Sequence, residues 1–381
     1  MSSNKWGLLW PMLLTFILTL VTAWFKYPTN HLPPGFGVFP PIQIGTTPGF
    51  NLIYFIVIAI GALAVTLFIL FPTLFGFQKP ASSGSPSGSR KLPWWFFLGF
   101  IVMVFFWWLM WSNSFVFGNL VYYAFTPMWW GFIIAVDGIV YYRNNGHSIL
   151  STRPTLMIIS AIFSVFGWSY FEYFDYFVLS NWYYPNGHMS ELSHMTIVII
   201  FLAAYSTVWP AVFEWYTLLN SFPGLMQRYA NGPKLPINGT WLLLAGSVIS
   251  VAVVWLPYPM FWGIWIGPMA IICGQLLRLN IWNPLTDIAN GNWSPAVLIA
   301  LASMANGFFW EMWNYGSSHP VPLEPTNPNY WIYDIPYVNV LHFFSEMPLL
   351  GYFGYLPFGL FVWIMYIWAG KLFGFRTDLT L

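Results

Sequence analysis

Long apolar runs, separated by short stretches rich in Gly, Pro and polar residues, dominate the chain. A helix of about 20 mostly apolar residues crosses a bilayer core, so runs of this length predict membrane-spanning helices. The runs cover residues 7–25, 50–77, 93–112, 118–141, 155–179, 195–219, 239–257, 259–279, 295–314 and 346–369. The pattern therefore predicts an all-α polytopic integral membrane protein with about ten transmembrane helices.

Composition supports a bilayer environment. The chain is 58% hydrophobic, 22% aromatic and 6% charged, whereas about a quarter of the residues of a soluble domain are charged. The 12 Lys and Arg against 11 Asp and Glu leave no basic face for phosphates, which excludes a nucleic-acid partner. The single cysteine, Cys273, excludes a disulfide framework. Membrane lipids are the expected partners, and no motif indicates a cofactor.

Basic residues predict the orientation, because Lys and Arg are retained in short cytoplasmic loops. With ten helices, all but Lys26 fall on the side of the N-terminus. Those residues are Lys5, Lys79, Arg90, Lys91, Arg143, Arg153, Arg228, Lys234, Arg278, Lys371 and Arg376. We therefore expect both termini in the cytoplasm of a bacterial inner or plasma membrane, and a flexible cytoplasmic linker over residues 79–92.

Predicted helices 5 and 9 carry the same pattern, Ser-x7-Glu-x2-Asp/Asn-Tyr. Each is followed by an outer loop with a Trp-x-Tyr element and by a helix with a central proline, Pro210 or Pro357. The pattern aligns Ser164 with Ser303, Glu172 with Glu311, Asp175 with Asn314 and Tyr176 with Tyr315. Helices 4–6 and 8–10 are thus predicted to be a parallel internal repeat of a three-helix unit.

The repeat divides the chain into five parts. An N-terminal three-helix segment (1–112) includes the linker. Repeat unit 1 (118–219) is joined by a connecting helix (239–257) to repeat unit 2 (259–369), and a cytoplasmic tail (370–381) follows.

Carboxylic acids inside the predicted helices are the candidate functional residues, because an ionisable side chain is costly in lipid and usually marks function. No Lys or Arg lies near the middle of a predicted helix, so these acids lack cationic partners. The topology places Glu172, Asp175, Glu311, Asn314 and Glu346 in the outer half of the bilayer, and Asp137 and Glu214 towards the cytoplasm. We predict the outer five as catalytic, with Glu172 and Glu311 close together and sharing a proton.

Three chemistries fit these residues. Paired carboxyls among aromatic rings suit protonation of an alkene and deprotonation of the carbocation, which Trp and Tyr faces stabilise. His188, Glu191 and His194 provide a possible metal site. Unpaired carboxylates also suit proton or cation transport. The structural alternatives are interfacial anchoring by the histidines and a hydrogen-bonded staple between the glutamates.

Several features resemble the membrane-embedded carotenoid cyclases of the lycopene cyclase domain type. They are the duplicated three-helix unit, an in-membrane glutamate among aromatic residues, the Trp-x-Tyr loop and the Phe344-Ser345-Glu346-Met347-Pro348 element. The resemblance covers helices 4–6 and 8–10, and it implies that Glu172 and Glu311 act as an acid–base pair on an isoprenoid end group. The family's Pro-Glu-Glu signature is absent, since Glu346 precedes Pro348.

The sequence favours an enzyme that modifies an isoprenoid, carotenoid or other lipid, because the 25 Trp, 22 Tyr and 37 Phe provide rigid walls for a polyene ligand. The same residues suit a lipid-facing surface or a subunit interface. The alternatives are therefore a non-catalytic subunit of a respiratory, photosynthetic or oxidoreductase membrane complex and, third, a transporter.

Overall fold

The structure is a computed structural model that describes residues 5–79 and 91–381, so most of the predicted 79–92 linker lies outside the described residues. Within them the chain is helical, with one short antiparallel pair of strands, β1 (Trp182–Tyr183) and β2 (Ile332–Tyr333). The α-helices are α1 (Lys5–Lys26), α2 (Leu52–Leu70), α3 (Trp94–Ser112), α4 (Phe125–Arg143), α5 (Ile149–Thr152), α6 (Pro154–Asp175), α7 (His194–Tyr205), α8 (Val208–Asn220), α9 (Pro223–Gln227), α10 (Gly239–Trp255), α11 (Gly263–Arg278), α12 (Ser294–Gly316) and α13 (Tyr355–Phe373).

Seven helical stretches of the described chain are long and apolar enough to cross a membrane, so the protein is a multi-pass helical membrane protein. They are Lys5–Lys26, Leu52–Leu70, Trp94–Ser112, Pro154–Val178, His194–Asn220, Ser294–Gly316 and Leu349–Phe373. The 3₁₀ segment Phe115–Tyr123 and α4 form an eighth if they are one span bent by 72°. Every predicted run coincides with a helix, but α10 and α11 have only 17 and 16 residues.

The helix interruptions have local causes. Predicted helix 4 is bent where Gly118 adopts a positive φ of 57°, a conformation that glycine reaches without steric cost. Pro210 lacks the N–H that would bond to Ser206, and α7 and α8 are separated just there. The equivalent Pro357 follows the 3₁₀ segment Leu349–Gly354, which precedes α13. The last helix therefore begins at Tyr355 rather than near residue 346.

Two helical hairpins, α3–α4 and α10–α11, are packed through glycines. A Cβ atom on Gly246 would lie 2.6 Å from the carbonyl oxygen of Gly267 and 2.8 Å from the backbone nitrogen of Ile271. A Cβ atom on Gly99 would lie 2.7 Å from the carbonyl oxygen of Gly131. Small residues allow this close approach of helix backbones in lipid, where dispersion contacts replace the hydrophobic effect as the force between helices.

The centre of the bundle is formed by α8, α12 and α13, with α1 against α10 and α11. The ends of α1 are fixed by polar contacts: Lys26 Nζ donates to the carbonyl of Val254 at 2.8 Å, and Gln275 Nε2 donates to that of Gly7 at 2.9 Å. By contrast, only Ala62 of α2 is buried. Helix α2 is thus peripheral, and its apolar side chains face outward.

Candidate functional site

Glu172 lies on α6 and is buried, with 3% of its surface exposed. Its Oε1 accepts hydrogen bonds from Trp168 Nε1 (2.9 Å), the Tyr184 hydroxyl (2.5 Å) and the Tyr205 hydroxyl (2.9 Å). Its Oε2 accepts one from Trp182 Nε1 at 3.2 Å. Both oxygens of Glu172 therefore have donors, with three crowded on Oε1 and one on Oε2.

Glu311 occupies the aligned position on α12 and is completely buried. Its Oε1 accepts from the hydroxyls of Tyr333 (2.9 Å) and Tyr355 (2.5 Å). The Ser345 hydroxyl is 3.5 Å from Oε2 and also lies 3.1 Å from the carbonyl oxygen of Met347. Oε2 of Glu311 is therefore weakly held, in contrast to both oxygens of Glu172.

The paired strands bring a tyrosine to each glutamate. Trp182 is opposite Tyr333, and Tyr183 is opposite Ile332. In the alignment of the two Trp-x-Tyr elements, Trp182 corresponds to Trp331 and Tyr184 to Tyr333. A local two-fold axis between the elements would place Trp182 opposite Tyr333, and this is the observed register. Burial, together with the nearby glutamate, raises the pKa of both Tyr184 and Tyr333 well above the ordinary value, so each phenol keeps its proton and donates.

Asn314 and Asp175 face the backbone of these loops and do not line the cavity. Asn314 bonds to both backbone groups of Trp331, donating to its carbonyl at 2.8 Å and accepting from its N–H at 3.0 Å. The Asp175 carboxylate faces the amides of Asn181 and Trp182, but among the described residues its oxygens make no hydrogen bond of ordinary geometry. An amide can donate and accept, whereas a carboxylate only accepts, so Asn314 clamps its strand and Asp175 does not.

One cavity of about 310 Å³ lies between the two glutamate groups. That volume is within the usual range of small-molecule sites. The cavity is lined by the four phenols that bond to the glutamates, Tyr184, Tyr205, Tyr333 and Tyr355. Most of the other wall residues are aromatic or apolar, including Phe125, Trp168, Trp182, Phe261, Trp262, Trp265, Trp310, Trp331, Phe353 and Phe358, and the polar exceptions are Asn181, Thr207 and Asn329. The phenols face the cavity, and each carboxyl group lies behind its phenols.

Ring contacts make the walls continuous and rigid. The ring centroids of Trp168 and Trp310 are 6.0 Å apart, and those of Trp310 and Tyr355 are 5.9 Å apart. Trp182 is stacked on Trp265 at 5.6 Å. The hydrogen bonds described above join each glutamate to its own Tyr, Trp or Ser donors, so they provide no shared proton between the two carboxyl groups.

Glu346 lies in the loop before the 3₁₀ segment Leu349–Gly354 and not within a helix, which corrects the expectation from sequence. Its Oε1 accepts from the Tyr330 hydroxyl at 2.6 Å and lies 3.4 Å from His319 Nδ1. Burial and this contact with Glu346 raise the pKa of Tyr330. Glu346 is therefore near Glu311 in space although far from it in sequence, and it directly follows Ser345, whose hydroxyl lies near Oε2 of Glu311.

The predicted metal ligands are not assembled into a site. His188 Nε2 lies 2.8 Å from the carbonyl oxygen of Pro40, Glu191 accepts from Ser190, and the rings of His188 and His194 are 6.4 Å apart. Over residues 5–79 and 91–381, no group of three or more His, Cys, Asp or Glu is placed to hold a metal ion. The metal hypothesis gains no geometric support.

The remaining buried acids form a separate cluster. Asp137 accepts from Trp95 Nε1 (2.9 Å), the Ser148 hydroxyl (2.8 Å) and the Leu150 N–H (2.8 Å), and Glu214 lies beside it. Neither acid lines the cavity. Sequence reasoning named the two glutamates but not the four tyrosines that bond to them; the repeated Trp-x-Tyr element was a signal for Tyr184 and Tyr333, and none marked Tyr205 or Tyr355.

No family model matches this chain, and neither a curated protein nor a solved structure matches it. The resemblance to the carotenoid cyclases stays a hypothesis, and the site is interpreted from its own chemistry.

Proposed function

We propose that the protein binds an unsaturated, membrane-dissolved molecule of the isoprenoid class in the aromatic cavity and modifies it by proton transfer. One observation carries this proposal: four cavity-lining phenols are hydrogen-bonded to two buried glutamates within a mainly aromatic wall. Such a wall suits a flat hydrocarbon, and phenol–carboxyl pairs supply the acid–base group that the hydrocarbon itself lacks.

The reaction that fits is alkene isomerisation or cyclisation. Tyr355, backed by Glu311, transfers a proton to one carbon of a C=C bond, and the bond's electron pair forms the new C–H bond. Tyr355 and Glu311 then take back a proton from a carbon next to the cationic carbon. A double bond re-forms, either at a new position or after ring closure. No oxidant or co-reactant is needed. Trp168, Trp310 and the carboxylate of Glu172 stabilise the intermediate cation.

The membrane arrangement that accompanies this proposal is ten spans with both termini in the cytoplasm. The Pro257-Tyr258-Pro259 turn separates α10 from α11, and their close glycine contacts make them a hairpin of two short spans. The sidedness of Lys and Arg supports the orientation. The cavity and both glutamates then lie in the outer half of the bilayer.

Ligand binding can be tested by filling the cavity. Gly354 lines the cavity, has a helical φ of −62° and has no atom within 4 Å of the position that a Cβ would take, so Gly354→Phe is expected to occupy the space without backbone strain. Mass spectrometry of lipids extracted from purified protein should show a hydrocarbon that the variant lacks. Gly61→Phe on α2, where a Cβ also has open space, is the matched control.

Catalysis can be tested by exchange with D₂O in liposomes that contain squalene or a C20 isoprenoid hydrocarbon. The wild-type protein should introduce deuterium into the hydrocarbon, and Glu311→Gln and Tyr355→Phe should reduce the rate by about 100-fold or more. Tyr366→Phe is the control, because the Tyr366 hydroxyl is buried without a partner among the described residues and does not line the cavity. Equal deuterium incorporation by all variants would refute the proposal.

A role as a non-catalytic subunit is the second candidate, and a surface observation favours it. Loops between candidate spans expose apolar side chains: Val321 and Leu323 are 81% and 105% exposed, and Phe343 and Phe344 are 62% and 82% exposed. Apolar patches of this kind often mark contact surfaces. A photo-crosslinker at Leu323 should then capture one protein partner in stoichiometric yield, while Glu311→Gln leaves the function of the complex unchanged.

A further inference from the structure

His319 lies just beyond the end of α12, with one third of its side chain exposed. Its ring is stacked on Tyr315 with the centroids 3.9 Å apart. Nδ1 lies 3.0 Å from the carbonyl oxygen of Tyr315 and 3.4 Å from Oε1 of Glu346. Because a carbonyl oxygen only accepts, Nδ1 carries the hydrogen and Nε2 is the nitrogen that can take up a proton.

Glu346 lies between this histidine and the buried Glu311. Its side chain is only 16% exposed, and the Tyr330 hydroxyl holds it at 2.6 Å. The preceding residue, Ser345, has its hydroxyl 3.5 Å from Oε2 of Glu311, the oxygen without a phenol donor, and 3.1 Å from the carbonyl oxygen of Met347, so the single hydroxyl hydrogen can be given to either acceptor. Glu346 is also close enough to Glu311 for the two carboxyl groups to interact electrostatically.

The first repeat unit has no equivalent arrangement among the described residues. The donors of Glu172 are Trp and Tyr side chains, and they occupy both of its oxygens. In the described part of the chain no histidine bonds to any of these donors, and His188 is bonded to Pro40 instead. Over residues 5–79 and 91–381, a partly exposed histidine paired with a carboxyl group next to a cavity glutamate is therefore found in the second unit alone.

We infer that His319 and Glu346 form a proton port that exchanges protons between the outer aqueous phase and Glu311. A proton from water binds Nε2 of His319, the Nδ1 proton passes to Glu346, and a proton moves from Glu346 to Oε2 of Glu311 by way of the Ser345 hydroxyl or a water molecule. Proton number and charge balance at each step. The other titratable groups that face the port are Tyr315, Tyr330, Tyr183 and Tyr352.

The role of the port in catalysis rests on the proposed function, because the port sets the protonation state of Glu311, the acid that acts on the ligand. Its existence can be measured without any substrate. Glu172, which the port does not reach, keeps its protonation state and stabilises the intermediate cation. Glu311 exchanges its proton with water.

The test is time-resolved infrared spectroscopy of the full-length protein in lipid nanodiscs after a jump from mildly alkaline to mildly acidic pH. The carboxylic C=O band of Glu311 is the band that Glu311→Gln removes. We expect His319→Gln and Glu346→Gln to slow the rise of this band by about tenfold or more. His342→Gln is the control, since His342 is an exposed histidine of the same outer segment.

Added imidazole should restore the rate at which the Glu311 band rises in His319→Gln. If His319 had only a structural role, imidazole would not restore this rate. Equal rates in wild type and His319→Gln, or the absence of any Glu311 band, would overturn the port. A normal Glu311 band with the expected slowing, but no deuterium incorporation into the hydrocarbon, would instead reject the proposed function and leave the port standing.

Discussion

Replacing each cavity glutamate with glutamine should give two different losses of stability, although the positions are equivalent in sequence. In Glu172→Gln the amide oxygen must take the Oε1 position, where Trp168, Tyr184 and Tyr205 donate. The NH₂ group then replaces Oε2 and faces the Nε1–H of Trp182, which is only a donor. One buried donor is left without an acceptor.

The magnitude follows from that orphaned group. A buried unsatisfied donor costs about 1–3 kcal/mol, so we expect Glu172→Gln to lower the free energy of unfolding by that amount. In Glu311→Gln the amide oxygen keeps both phenols, and the NH₂ group faces the Ser345 hydroxyl, which can accept. We therefore expect Glu311→Gln to cost less than about 1 kcal/mol.

The assay is equilibrium unfolding of purified protein in one mixed detergent system, followed by tryptophan fluorescence. Glu191→Gln is the control for loss of charge, since Glu191 is exposed. If Glu311→Gln proved as destabilising as Glu172→Gln, or more so, the reasoning that the two donor sets tolerate an amide differently would be refuted. The argument for Glu311 as the exchangeable acid would fail with it.

Three further predictions concern the scaffold. Gly246→Ala should lower the free energy of unfolding by about 1–3 kcal/mol, because its Cβ would meet backbone atoms of α11, while Gly61→Ala, in open space, should not. In intact cells an impermeant thiol reagent should label Leu323→Cys but not Thr380→Cys, since both termini are expected in the cytoplasm. The native Cys273 is buried and should not react. The reverse labelling pattern would exclude this orientation. Burial would raise the pKa of Asp378, but Arg376 and Arg153 outweigh burial and lower it. Asp378→Asn should therefore lower the free energy of unfolding by at most about 1 kcal/mol at neutral pH. In unfolding measurements at decreasing pH, the difference between variant and wild type should vanish as the native carboxylate is protonated.

The class of fold was predictable because the bilayer imposes a simple rule on the sequence. Every long apolar run became a helix, since a chain in lipid must satisfy its backbone hydrogen bonds internally. What the runs did not predict was where a helix changes course. The kink at Gly118, the 72° bend between Tyr123 and α4 and the late start of α13 near Pro357 are local changes of the backbone that leave the hydropathy pattern unaltered.

The two glutamates stand out in the sequence by their cost in lipid and by the repeated pattern, and both are buried behind tyrosines that line one cavity. Their chemistry was not predictable in the same way. A sequence shows that Glu172 and Glu311 lack Lys or Arg partners, but not that Tyr and Trp from distant loops donate to them. Tyr333 is 22 residues from Glu311 and Tyr355 is 44, so only the folded loops reveal the donor sets.

The two glutamates are alike in position and differ in their surroundings, and this difference bears on any proton-transfer reaction in the cavity. Glu172 accepts from four donors, three on Oε1 and one on Oε2, so each of its oxygens has a Tyr or Trp donor. Glu311 has one weakly held oxygen, and that oxygen faces Ser345 on the side of Glu346 and His319. A protonation and deprotonation cycle needs one group that changes its state and one fixed charge that stabilises the cation. The duplicated positions supply both, because among the described residues the pair His319 and Glu346 adjoins Ser345 and Glu311, and no such pair adjoins the donors of Glu172.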